Sequence, residues 1–273
     1  GTGAEAGEAL VMHSGAKAIS FTGSTAVGRR IAALATPQLK KVSLELGGKN
    51  PTLVFADSDW RAQLDTLVRS AFQNSGQICL CGSRVLVERG IYGEFREAFV
   101  ERVAALRVGD PTDEKTQLGP LVSKAHFDKV MACLGRARSE GGRFLVGGHA
   151  LDRAGWFISP AVVEGLGPDT ASNREEIFGP IATLQAFDSE EEALALANAS
   201  EYGLAAMLWT RDLDRAHRLS AQLRAGIIWV NTWLMRDLRT PFGGVASSGL
   251  GREGGTEAMR FFTEAKNVCL SLR

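Results

Sequence analysis

Apolar and polar positions divide the chain into strand-like and helix-like segments that take turns along its length. Ala18-Ile19-Ser20-Phe21-Thr22 reads as a short strand running into Gly23, with a helix opening at Ser24. In Val42-Ser43-Leu44-Glu45-Leu46 the apolar residues fall at every second position. Val42, Leu44 and Leu46 therefore face one way, Ser43 and Glu45 the other. Residues 59–74 predict a helix, residues 84–87 a strand and residues 92–106 a second helix. Ser189-Glu190-Glu191-Glu192 is a capping box that opens a helix running through Ala199. Leu213, Ala216, Leu219 and Leu223 share a helix face, with Gly226 placed to follow its end and a buried strand over residues 227–230. Residues 231–251, rich in Gly, Ser and Arg, show no periodicity and read as a long loop of the kind that carries function. The alternation predicts an α/β architecture.

Composition narrows the class without naming a function. The 273 residues are enough for one large domain or parts of two. A 45% apolar and 23% charged composition is that of a soluble globular protein. Lys+Arg and Asp+Glu are both 31, so no basic stripe argues for nucleic acid. No apolar run approaches a membrane span, and no signal peptide is visible. The chain opens on GTGAEAG without an initiator Met, which implies a start further upstream. Four cysteines in a chain this long do not make a disulfide framework, so reduced thiols in the cytoplasm are expected.

Two glycine patterns stand out. Gly249-Leu250-Gly251-Arg252-Glu253-Gly254 matches G-x-G-x-x-G, but it follows a loop, so the strand-then-helix context of a dinucleotide fingerprint is missing. Phe21-Thr22-Gly23-Ser24-Thr25-Ala26-Val27-Gly28 sits at a strand end and opens a helix, where free backbone N–H groups favour an anion. A plain strand–helix turn accounts for the same spacing. The segment Gly76–Arg84, GQICLCGSR, places Cys79 and Cys81 two apart. A zinc site would need a second ligand pair, and the four histidines are scattered, so no metal is expected. A Cys79–Cys81 disulfide would close a small strained ring. Two small buried residues, or a nucleophile with a bystander, remain. Glu45 is the only charge in VSLELGG. A cysteine nucleophile with a glutamate base is a workable pair for acyl chemistry, and a solvated strand glutamate is the plainer alternative.

Six segments together resemble the NAD(P)-dependent aldehyde dehydrogenase superfamily: FTGSTAVGRRIA (21–32), LELGGKNP (44–51), GQICLCGSR (76–84), EEIFGPI (175–181), YGLAA (202–206) and PFGGVASSGLGREGG (241–255). They occur in the family order over nearly the whole chain, which resembles the second half of the longer family members. The resemblance implies an open, mostly parallel catalytic sheet flanked by helices, plus the tail end of a Rossmann-like cofactor domain. It divides the chain into residues 1–46 (cofactor domain, incomplete), 47–248 (catalytic domain) and 249–273 (C-terminal helix and oligomerisation strand).

The mechanism this implies makes Cys79 the nucleophile, its thiol activated by lowered pKa where cations or backbone dipoles surround it. Glu45 is the base that activates water against the thioester, and Cys81 a neighbour. NAD or NADP is the implied cofactor, with Gly23 and Ser24 at the pyrophosphate, Leu46 beside the nicotinamide, Glu176 on the ribose and Phe178 packing nearby. The family's oxyanion-hole Asn falls outside this chain, and neither Asn50 nor Asn74 takes its place. The segment NTWLMRDLRTPFGG (231–244) is similar to the 2-hydroxymuconate and 2-aminomuconate semialdehyde branch. Arg236, Arg239 and Phe242 are its implied substrate contacts, the arginines matching a substrate carboxylate. Expected partners are a small aldehyde and further copies of the chain, as a homodimer or homotetramer, with no nucleic acid and no membrane. A CoA-acylating enzyme, which needs no water-activating Glu45, and a non-catalytic structural or assembly module are the alternatives.

Overall fold

The computed structural model describes residues 1–272. The chain begins with a short helix α1 (Glu8–Met12), strand β1 (Ala18–Thr22), helix α2 (Thr25–Ala35) and strand β2 (Lys41–Glu45). β1 and β2 pair in parallel, with Thr22 opposite Glu45. Ser24 caps α2 by accepting from the Val27 N–H at 3.4 Å. Ile31 and Ala35 on its inner face pack with Val11, Leu44 and Leu46 in a small core.

A larger sheet follows. From there to residue 230 the elements in chain order are β3 (Pro51–Val54), α3 (Leu64–Phe72), β4 (Arg84–Glu88), α4 (Arg89–Ala104), α5 (Lys124–Ser139), β5 (Arg143–Val146), β6 (Ala161–Glu164), α6 (Ala171–Arg174), β7 (Ile181–Phe187), α7 (Glu190–Ala197), β8 (Tyr202–Gly203), which lies outside this sheet, β9 (Ala205–Trp209), α8 (Leu213–Gln222) and β10 (Ile227–Val230). Seven strands lie in the order β10-β9-β3-β4-β7-β6-β5. Every pairing is parallel except the edge pair β5–β6. Helices cover both faces, so the central strands are apolar on both sides: Val85, Leu86 and Val87 are all buried. One face packs on Phe72, Phe95 and Phe99, the other on Phe55, Leu219 and Leu223. This is the open, mostly parallel α/β sheet that the sequence led us to expect.

The ends of several elements move relative to the sequence pattern. The helix expected from residue 59 starts at Leu64, because Trp60 turns into the core and residues 59–63 form a turn around it. The second helix runs Arg89–Ala104, starting three residues earlier than expected. α7 stops at Ala197. α8 ends with Leu223 in an extended conformation, and the Gly226 N–H donates to the Gly203 carbonyl instead of closing the helix. Residues 231–251 are not featureless either. They contain β11 (Val245–Ala246) and β12 (Gly249–Leu250), followed by α9 (Gly255–Phe262). β11 pairs with β8, and β12 runs antiparallel to β2 with Gly249 opposite Glu45. The glycine-rich stretch from Gly249 thus closes the first sheet, in the order β1-β2-β12, and residues 249–250 lie beside residues 44–45 in space. Beyond α9, residues 263–272 carry no regular structure, and Val268, Leu270 and Leu272 are exposed. Among the described residues no helix is long and apolar enough to cross a membrane.

Candidate active site

The turn that carries Cys79 is held by its backbone. Asn74, Ser75 and Gly76 follow α3 with φ of 54°, 56° and 71°, three left-handed residues in succession. Such a conformation costs a non-glycine residue about 1–2 kcal/mol. Two hydrogen bonds offset it: Ser75 Oγ donates to the Gly119 carbonyl at 2.7 Å, and Gln77 Oε1 accepts from the Val122 N–H at 3.0 Å. Gly76 is required for a second reason. A Cβ there would lie 2.0 Å from the Gly179 carbonyl oxygen. On the far side, Asn50 is fully buried and its Nδ2 donates to the carbonyls of both Cys79 and Cys81, at 2.7 and 2.9 Å. Its Oδ1 accepts from the Ala205 N–H at 3.0 Å. The amide of Asn50 is therefore committed to clamping the Cys79 turn from just before β3, and Asn74 Nδ2 donates to the Gln77 carbonyl.

A cleft of about 470 Å³ opens beside this turn. Its walls include Gly23, Ser24, Glu45, Leu46, Cys79, Glu176 and Phe178, so the seven residues expected at the nucleophile, base and cofactor positions meet in one place. They arrive from four separate stretches of chain: the β1–α2 turn, the end of β2, the turn after α3, and the loop between α6 and β7. Glu45 is 4% exposed, which excludes a solvated strand glutamate. Neither of its carboxylate oxygens has a hydrogen-bond partner. Burial, reinforced by the negative charge of Glu253, pushes its pKa to about 8, against the opposing pull of Arg252 and Arg236. Glu176 is tied by one oxygen, Oε1 accepting from the Gly48 N–H at 3.1 Å. A Cβ on Gly47 would sit 2.2 Å from its other oxygen, so glycine is needed for the carboxylate to approach this closely. Burial raises the pKa of Glu176 as well.

The Cys79 thiol departs from expectation. Burial, then the carboxylates of Glu176 and Glu45, push its pKa up to about 11, and Arg236 and the local backbone only partly oppose them. It is not a thiolate poised by surrounding cations; it needs a base to take its proton. Cys81 is more deeply buried, its pKa raised to about 12 by desolvation, and it lines a separate small void behind the turn. The two cysteines thus occupy different environments.

The substrate-loop residues divide. Arg236 and Phe242 line a second cavity of about 260 Å³ together with Trp229, and the Arg236 guanidinium lies 4.2 Å from the Phe242 ring. Arg236 is exposed, so it does not face the unpaired burial that would force an anion upon it. Arg239 lines neither cavity; it points outward and its guanidinium is held by Asp237 across two residues, at 2.5–3.0 Å. Arg236 electrostatically touches both Cys79 and Glu45, and Arg239 neither.

Several residues at this site carried no warning in the sequence. Glu253 and Arg252 approach Glu45 because the backbones of Phe242 and Glu253 exchange hydrogen bonds at 2.8 and 2.7 Å. His126 and Lys129, from the first turns of α5, complete the cleft wall. Lys49 is 2% exposed, its Nζ has no hydrogen-bond partner, and burial followed by the Arg84 charge lowers its pKa to about 7. Among the described residues no group of three His, Cys, Asp or Glu side chains is placed to hold a metal ion.

Comparison with known proteins places the chain among relatives of one kind. Residues 1–268 match the family model described as "Aldehyde dehydrogenase family". A 2-aminomuconic 6-semialdehyde dehydrogenase from Pseudomonas sp is 48% identical over 273 residues, covering 98% of this chain and 55% of that protein. A 2-hydroxymuconic semialdehyde dehydrogenase from Pseudomonas putida is 44% identical, covering 99% and 57%. The crystal structure of a betaine aldehyde dehydrogenase from Staphylococcus aureus in complex with NAD+ superposes with a TM-score of 0.92 at 35% identity, covering 95% of this chain and 52% of that one. The chain spans a little over half the length of the curated relatives it matches.

Proposed function

The chain belongs to the aldehyde dehydrogenase family, and on that premise we propose that it carries the acyl-transfer centre of an NAD(P)-dependent oxidation of an aldehyde to a carboxylic acid. The supporting observation is the single cleft that Cys79, Glu45, Glu176 and Phe178 share with Gly23, Ser24 and Leu46. The residues present fit one end of a dinucleotide. Glu176 keeps one carboxylate oxygen anchored on Gly48 N–H and the other facing the glycine turn, a shape suited to a sugar diol. The start of α2 offers helix N–H groups to a phosphate. Bound there, the nicotinamide cofactor supplies the acceptor for the hydride. NAD is favoured by the NAD+ complex of the betaine aldehyde dehydrogenase.

Cys79 loses its proton to Glu45, which passes it on to solvent before the later hydrolysis, and the sulfur bonds to the aldehyde carbon. Loss of hydride leaves the carbon as a thioester on Sγ. Glu45 then takes a proton from water, whose oxygen bonds to the acyl carbon as the C–S bond breaks, releasing acid and thiol. A buried, unpartnered carboxylate of pKa about 8 is a strong enough base for this and is freed from competing hydrogen bonds. Cys81 packs behind the turn and takes no part.

The substrate is a semialdehyde carrying a carboxylate of the muconate type, as in the two named relatives. Arg236, on the second cavity, receives the carboxylate, with Phe242 as its stacking support; Arg239 is too far committed to Asp237 to share the role. Residues 1–46 serve the cofactor and include the base Glu45 near their end, residues 47–248 carry Cys79 and the substrate wall, and the exposed apolar C-terminal residues serve an oligomer of this chain. Four free thiols suit a reducing cytoplasm. The test is Arg236→Ala, assayed with a carboxylate-bearing semialdehyde and with hexanal. Because Arg236 is exposed, the loss should be about 1.5–3 kcal/mol in kcat/KM, the range for a charged hydrogen bond, and confined to the first substrate. Equal losses on both would make Arg236 structural.

A further inference from the structure

His126 takes no part in the chemistry above, yet it sits in the cleft wall with one ring nitrogen engaged. Its Nε2 lies 2.6 Å from the carbonyl oxygen of Phe178. A carbonyl only accepts, so Nε2 carries the proton and donates. Phe178 is held at φ +59°, a left-handed conformation that a bulky residue leaves unless something fixes it. The His126 and Phe178 rings also meet edge to face, with centroids 5.7 Å apart. On either side of Phe178, Glu176 is bonded to Gly48 and Gly179 is in tight contact with the Gly76 turn. The residues 176–179 therefore link the base's turn to the nucleophile's turn, and Phe178 is the strained joint between them. His126 itself is well anchored. It lies in the first turn of the 16-residue helix α5, and its backbone N–H donates to Ser123 Oγ at 3.2 Å.

We propose that His126 is a positioning residue: its Nε2–H, delivered from the rigid start of α5, locks Phe178 in its left-handed conformation and so keeps Glu176 and Phe178 on the cofactor wall of the cleft before any ligand arrives. The significance of that wall rests on the dehydrogenase reading; the lock itself does not. A preformed wall spares the ligand the work of ordering it.

The test uses hydrogen exchange of the segment 175–181 in the ligand-free chain, with three substitutions. His126→Phe keeps an aromatic ring and removes the donor. His126→Ala removes both. His126→Gln places an amide N–H within reach of the same carbonyl. Loss of one hydrogen bond should speed exchange of this segment roughly 3–10-fold in the Phe and Ala variants. The Gln variant should remain near wild type, and iodoacetamide labelling of Cys79 should follow the same order. If His126→Phe protects the segment as well as histidine does, ring packing is responsible and the proposal falls. If Gln exchanges as fast as Ala, the donor is not what matters, and it falls equally. Neither readout involves cofactor or aldehyde, so failure of the dehydrogenase reading would appear elsewhere, as an absent acyl-enzyme on Cys79.

Discussion

Glu45→Gln separates the proposed base from every other feature of the cleft. The substitution keeps shape and removes the titrating group from a site that is 4% exposed, with two unpartnered oxygens and a pKa of about 8. The first consequence is kinetic. With that pKa, about one-tenth of Glu45 is ionised at pH 7 and about nine-tenths at pH 9, so wild-type deacylation should rise about tenfold over this range. The Gln variant should deacylate ~10²–10⁴-fold more slowly and lose the rise. An activated ester such as p-nitrophenyl acetate, which acylates a thiol without any cofactor, isolates the step: a burst of nitrophenol, then slow release of acetate. The second consequence is thermodynamic. The folded-state pKa is raised from 4.5, so between pH 4.5 and 8 the folded chain holds a proton that the unfolded chain releases. The stability attached to Glu45 is fully present below 4.5 and falls by about 1.4 kcal/mol per pH unit until the folded pKa is passed. The Gln variant escapes this loss. Its advantage in urea unfolding should grow from nothing near pH 4.5 to about 3–5 kcal/mol by pH 8. Lys49, whose lowered pKa makes stability rise with pH above about 7, affects both proteins alike and cancels in the difference. Unchanged deacylation, or a stability difference flat with pH, would rule out Glu45 as a buried titrating base.

Two other outcomes follow. Asn50→Ala removes three buried hydrogen bonds, to Cys79 O, Cys81 O and Ala205 N, and should destabilise the chain by about 3 kcal/mol in urea unfolding; a change below about 1 kcal/mol would mean the clamp is redundant. In limited alkylation at pH 7 the exposed Cys269 should label first, with Cys79 accelerating as pH rises toward 11 and the buried Cys81 and Cys133 labelling last; preferential labelling of Cys81 would contradict the assigned environments.

Buried strands such as Arg84–Glu88 were legible as short apolar runs and helices such as α7 by their own start signals, whereas the parallel order of the sheet was implied by the resemblance. The residues proposed as nucleophile, base and cofactor contacts were singled out through motif resemblance, and the fold brings them into one cleft. Helix boundaries shifted where tertiary burial intervened, as at Trp60. β11 and β12 were invisible because two-residue strands have no periodicity, and their pairing partners are more than forty residues distant. Charge states were the least legible. The pKa of Cys79 depends on Glu45 and Glu176, 34 and 97 residues away in the chain. His126 and Glu253 belong to the site only because α5 and the Phe242–Glu253 pairing fold back onto it.

The central claim is that an acyl group passes through the sulfur of Cys79. Acid quenching of the Glu45→Gln chain shortly after mixing with an activated ester, then peptide mapping by mass spectrometry, examines that sulfur directly. The expected result is one acyl group on the peptide holding Cys79, stable in the Gln variant, short-lived in wild type at pH 9, and absent from Cys79→Ser. Acyl label on Cys81 or Cys133, or an equal yield from Cys79→Ser, would contradict it.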